Sequence, residues 1–140
     1  MKKKIFTLAT LTFLCFASLS PTQLSARTKV PTATKDMNDV SSSKFTLDFD
    51  AKETLYSNFK YYPCEWNDGT ASIELRMDNG DEACIKVVLY DATEGEDVET
   101  LYTSDEDYDN EFCDLDPDDK YYFIFKNCSS YDCSVYVRIF

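Results

Sequence analysis

The chain contains no histidine. That absence removes Ser-His-Asp and Cys-His catalysis, and any His-ligated zinc or iron centre, from the chemistry its residues support. Glycine is nearly as scarce. With three residues, at 69, 80 and 95, there is no phosphate-cradling loop and no dinucleotide fingerprint. The six cysteines include no C-x-x-C pair, so a thioredoxin-like redox function is not expected. Positive charge is also short: 14 Lys and Arg stand against 26 Asp and Glu, a net charge of −12. Phosphate backbones and anionic lipid surfaces repel such a chain, which disfavours nucleic acid and membrane-surface partners. Cations, basic proteins and neutral glycans remain compatible with it.

Long apolar runs are missing with one exception. Residues from Ile5 to Leu19 are apolar except at Thr7, Thr10, Thr12 and Ser18. The run is too short and too rich in threonine to span a membrane, and no stop-transfer pattern follows. Lys2, Lys3 and Lys4 precede it, and Ser25 and Ala26 offer small residues for cleavage. Residues 1–26 therefore read as an export signal, and the mature protein is expected to be secreted, extracellular or periplasmic, with no membrane span. Removing them takes away three lysines and no acid, which moves the net charge from −12 to about −15. Thr12-Phe13-Leu14 lacks the small residue that lipidation at Cys15 requires, so no lipid anchor is expected.

Residues 27–43 are polar and without period, and are expected to form a flexible leader. From Lys44 to Phe140 the texture is β. About eight segments rich in Val, Ile, Thr, Tyr and Phe alternate with turn clusters, at 44–50, 54–62, 71–77, 83–91, 98–103, 110–115, 120–126 and 133–140. Turn signals fall at Asn67-Asp68-Gly69, Asn79-Gly80, Glu94-Gly95 and Pro117-Asp118. This spacing predicts an all-β fold: a single antiparallel β-sandwich, immunoglobulin-like or jelly-roll-like, with 7–8 strands. Ile73, Leu75 and Met77 share one face, as do Ala83, Ile85, Val87 and Leu89. A three-residue loop, Asn79-Gly80-Asp81, would join them as a hairpin pairing Leu75 with Ile85. Cys84 would then point away from the core with Lys86 and Arg76.

Residues 115–127 read LDPDDKYYFIFKN. Leu115, Pro117 and Tyr121 resemble the L-x-P-x-x-x-Y tyrosine corner of fibronectin type III and other immunoglobulin-like domains. The Pro fixes φ in the bend, the Leu plugs the core, and the Tyr hydroxyl bonds back to the corner backbone. The layout is also similar to exported bacterial sandwich domains of the pre-peptidase C-terminal type. The resemblance implies a sandwich with a broad role in accessory binding or stabilisation, and it carries no functional residue to this chain.

Three constellations invite a functional reading. Asp105, Asp107 and Asp109 alternate like the first oxygens of a calcium loop, with Asp116 at its twelfth position. Their competing reading is a solvated hairpin tip. No cofactor is expected unless it is this Ca2+. Cys128 and Cys133 bracket what reads as the last hairpin and would staple it, while Cys64, Cys84 and Cys113 have no assignable pairing. Once Cys15 is cleaved the count is odd. The protein is thus expected as a monomer, or as a disulfide-linked dimer through an unpaired cysteine. Tyr61, Tyr62, Trp66, Tyr122 and Tyr136 offer aromatic surface to an extracellular protein or glycan, or else cover sheet edges. Carboxylates are abundant, but no spacing singles out a catalytic pair, so an enzyme is not expected. The reading is a secreted, non-catalytic interaction or accessory module. A carbohydrate-binding module is the alternative, and a small carboxylate-dependent hydrolase is the third.

Overall fold

The structure, a computed structural model, describes residues 29–37, 42–63, 69–77 and 83–140. The expected signal, Cys64, Trp66 and the Asn79-Gly80-Asp81 loop lie outside them. The described residues form ten strands and no helix: β1 (Thr34–Asp36), β2 (Ser43–Phe49), β3 (Thr54–Tyr56), β4 (Lys60–Tyr62), β5 (Ala71–Met77), β6 (Ile85–Asp91), β7 (Glu96–Thr103), β8 (Asp107–Phe112), β9 (Tyr121–Asn127) and β10 (Cys133–Ile139). They pair into two sheets, in a β-sandwich. The six-stranded sheet runs β1-β4-β9-β6-β7, with β3 also on β9, and the four-stranded sheet runs β2-β10-β5-β8.

Alternation decides which side chains meet between the sheets. From the six-stranded sheet come Ile85, Val87, Leu89, Phe123 and Phe125, and from the other Leu47, Ile73, Leu75, Phe112, Val135 and Val137, all at most 1% exposed. Aromatic rings tie the layers. Phe112 of one sheet packs on Phe123 of the other at 5.5 Å between centroids, and Phe45 meets Phe125 edge-on at 6.2 Å. β9 is the structural centre, with β6 along one side and β3 and β4 sharing the other.

Three expectations are corrected here. The segments 71–77 and 83–91 do not form a hairpin. β5 pairs with β10 and β8, whereas β6 pairs with β7 and β9. Two strands that face each other across a core show the same inward parity as two neighbours in one sheet, so alternation alone does not separate the cases. Cys84 does point outward with Lys86, but Arg76 lies on the outside of the other sheet. The second correction has the same cause: β9 and β10 belong to different sheets, so residues 128–132 cross between layers instead of closing a hairpin. Third, the polar leader is not uniformly flexible. Thr34–Asp36 pairs in parallel with β4, and Met37 is fully buried. Backbone pairing holds a segment that has almost no apolar side chains to offer.

The corner before β9 takes the expected form. Leu115 and Tyr121 are buried, and the Asp116 amide donates to the Tyr121 hydroxyl at 3.0 Å. The Leu115 amide also donates to the Gly69 carbonyl at 2.9 Å.

Candidate functional site

The outer face of the six-stranded sheet carries the residues that alternate with the core set. Tyr90 of β6 stands opposite Tyr122 of β9, and Val88 opposite Ile124, which in turn faces Tyr56 of β3. The rings cluster. Tyr90 and Tyr122 lie 4.9 Å apart at 37°, and Tyr56 meets Tyr122 at 6.1 Å and 60°. Tyr122 forms the floor, at 6% exposure, and burial first, then the neighbouring Tyr90, Tyr56 and Asp97, push its hydroxyl pKa up. On the same face Tyr102 of β7 stands opposite Lys86, four residues along β6 from Tyr90, roughly 13 Å away; it is 62% exposed, with the Lys86 ammonium 5.9 Å from its ring. On the other flank the Lys120 ammonium lies 5.1 Å from the Tyr62 ring. Such cation–π placements hold a lysine over an aromatic edge. The result is a packed tyrosine platform with lysines at its margins, on a strongly acidic protein.

The sequence-predicted surface residues do not gather there as a set. Tyr62 and Tyr122 belong to this face. Tyr61 does not: it is 0% exposed in the core, its hydroxyl 2.6 Å from Asn58 Oδ1 and 3.1 Å from Ser43 Oγ. Tyr136 lies on the outside of the opposite sheet, opposite Thr46 and Arg76. The hollow beside it, lined by Thr46, Arg76, Met77, Ser134 and Tyr136, holds about 140 Å³, less than the ~300 Å³ of a small ligand pocket. Residue order alone does not single out Tyr56, Tyr90 and Tyr102. The parity of Lys86, Val88 and Tyr90 marks them as outward, but only the β6–β9 pairing brings Tyr90 to Tyr122.

The acidic set does not converge. Asp107 and Asp109 lie in β8, opposite Arg76 and Glu74, and Asp107 forms an ion pair with Arg76 at 3.5 Å. Because 107–112 is a strand and not a loop, Asp105 and Asp116 sit at its opposite ends, separated by roughly 20 Å of extended chain. Asp116 instead accepts from the Asp118 amide in the corner. Among the described residues no three His, Cys, Asp or Glu side chains come together to hold a metal ion. The acid-rich strands β7, with Glu96, Asp97 and Glu99, and β8, with Asp107, Asp109 and Glu111, are edges: one borders each sheet. Charged edge strands resist pairing with further strands.

No disulfide joins Cys128 to Cys133. The crossing leaves Cys128 on the outside of one sheet and delivers Cys133 to the inner side of the other, where it is buried. Cys113 is exposed.

No protein-family model matches the chain, and no curated protein matches it. Solved structures do. The Yersinia pseudotuberculosis-derived mitogen is similar at a TM-score of 0.53 and 13% identity, over 71% of this chain and 84% of that one. Aeromonas hydrophila PliG, a periplasmic inhibitor of g-type lysozyme, is similar at 0.45 and 8%, over 76% and 94%. A protein of Bacillus endospore appendages, which form disulfide-linked pili, is similar at 0.39 and 15%, over 71% and 84%. At such identities the likeness to the mitogen is one of fold. Among the described residues no helix is long and apolar enough to cross a membrane.

Proposed function

We propose that this chain is an exported, non-catalytic interaction module that contacts an extracellular or periplasmic protein through the tyrosine platform of its six-stranded sheet. The single observation that carries the reading is the Tyr56-Tyr122-Tyr90 cluster, on the sheet face that also carries exposed Tyr102 farther along. Tyrosine offers wide contact area at low entropic cost and a hydroxyl that tolerates water, and lysine margins suit an acidic partner surface. A protein partner is favoured over a glycan because the rings pack on one another at 37° and 60°, so Tyr122 keeps no open face for a sugar. The basic Lys2, Lys3 and Lys4 followed by the apolar run from Ile5 to Leu19 support export. The lack of histidine supports a non-catalytic role.

The test is quantitative capture of envelope and secreted proteins by the immobilised chain, compared with Tyr102→Ala and with Tyr90→Ser. The reading expects a discrete protein partner that both substitutions lose while Tyr136→Ala keeps it. Binding to a polysaccharide panel that survives both platform substitutions would replace it.

A further inference from the structure

Cys84 and Cys128 continue the β6–β9 ladder one step beyond its last paired residues, Ile85 and Asn127. The Cys128 amide donates to the Cys84 carbonyl at 2.7 Å, which makes the two cysteines a directly opposed, hydrogen-bonded pair. Such pairs hold their Cα atoms about 5.5 Å apart, within the range that a disulfide spans. Both are outward at this register, on the side that carries Lys86 and Lys126, and both are partly exposed. The Cys128 thiol donates to the Lys126 carbonyl at 3.8 Å, and its sulfur is near enough to Cys84 to raise that thiol's pKa.

The surroundings hold the pair in place. The second ladder bond is missing and its two groups are met by side chains. The Cys84 amide donates to Ser129 Oγ at 2.9 Å, and Lys52 Nζ donates to the Cys128 carbonyl. The Ser129 amide donates in turn to Asn127 Oδ1 at 2.8 Å, and Asn127 is fully buried. Backbone and side chains therefore fix the chain on both sides of Cys128. Burial raises the Cys84 pKa first, the Cys128 sulfur raises it further, and the Lys52 ammonium pulls it back.

We propose that Cys84 and Cys128 are the site of a cross-strand disulfide, made by exchange with a disulfide-bearing oxidant of the thiol–disulfide oxidoreductase or oxidised glutathione class. One cysteine thiolate attacks the oxidant's S–S bond, forming a mixed disulfide and expelling one oxidant thiolate. The other cysteine thiolate then attacks the mixed disulfide at this chain's sulfur and expels the second. Two thiols of the protein lose two protons and two electrons in one new S–S bond, and one S–S bond of the oxidant becomes two thiols. The partner of Cys128 is thus Cys84 across the sheet, not Cys133 along the chain.

The test uses the full chain, incubated with oxidised glutathione, alkylated without reductant, digested and sequenced by tandem mass spectrometry. The expected product links the peptide bearing Cys84 to the one bearing Cys128, with fragment ions that separate Cys128 from Cys133. Dithiothreitol should abolish the link and lower Tm by roughly 5 °C or more. A Cys84→Ala, Cys128→Ala double variant should show no reductant dependence, and the mapping of the unsubstituted chain stands whether or not that variant folds. A Cys128–Cys133 link, or alkylation of both Cys84 and Cys128 after the oxidant, would overturn the proposal.

Discussion

The Asp116 amide and the Tyr121 hydroxyl meet at 3.0 Å, closing the bend that feeds the central strand β9. The bond joins residues five apart, so it fixes the angle at which Tyr121, Phe123 and Phe125 enter the core. Burial first and nearby Asp91, Asp119 and Asp116 raise the Tyr121 pKa, while the backbone bond to Asp116 opposes them.

Tyr121→Phe keeps the ring and deletes this bond. The Asp116 amide then loses its partner in a partly buried corner. We expect a loss of about 1 kcal/mol in urea-monitored unfolding, with the m-value unchanged. A stability equal to the parent's would show that the corner is held by Leu115 packing alone.

Gly69 has φ of +87°, and a Cβ there would lie 2.9 Å from the Leu115 carbonyl oxygen. Alanine at this position meets both a left-handed backbone and a clash with main chain that is itself bonded back to Gly69. Gly69→Ala should cost about 2 kcal/mol or more, read as a lower urea midpoint. Gly95, φ +81°, has its nearest side-chain atom at 3.8 Å, so Gly95→Ala should cost less because only the backbone conformation is at stake.

Glu74 links Arg76 and Arg138 on the outside of the four-stranded sheet, with Arg138 Nη1 at 3.3 Å. Burial opposes its charge, but the hydrogen bonds and charges of the two arginines outweigh that and hold its carboxyl below the ordinary 4.5. A depressed folded-state pKa means the contribution is complete above that ordinary value and lost as pH falls through the folded-state value. Glu74→Gln should therefore lower stability at neutral pH and flatten its decline below pH 4.5, measured by urea unfolding across the acid range.

Tyr61 behaves oppositely at high pH. Burial pushes its hydroxyl pKa well above the ordinary 10.0, with the Ser43 bond working against that. A raised folded-state value keeps the full contribution below pH 10.0 and loses it as pH rises beyond. In an absorbance titration, the Tyr61 phenolate should appear only together with loss of the folded near-ultraviolet circular dichroism. Tyr61→Phe should remove that coupled step.

Much of this architecture is legible in residue order. Ile73, Leu75 and Met77, and Phe123 and Phe125, are inward as their alternation says, and the strand bounds at 71–77 and 133–139 lie within a residue of those read from pattern. The Leu115, Pro117, Tyr121 spacing identifies the corner because each residue has a separate physical task there. What alternation does not encode is the neighbour. Leu75 and Ile85 both point inward, yet from opposite sheets, and nothing in their own segments distinguishes that from a hairpin. Long-range pairing is set by how many strands the whole chain must fit around β9. The platform was illegible for the same reason. Tyr122 is visible as outward, but Tyr56, 66 residues earlier, and Tyr90 reach it only through pairing. Thr34–Asp36 has no strand signature in the sequence because a backbone ladder to β4 holds it, which side-chain pattern does not record.

The two acidic borders have one more consequence. β7 and β8 expose main-chain groups that a further strand would accept, and it is their Glu and Asp side chains that keep such a strand away. Exchange of those acids for neutral residues would turn the same rims from repellent to adhesive, so self-association should start along the sides of the sandwich while its interior is still intact.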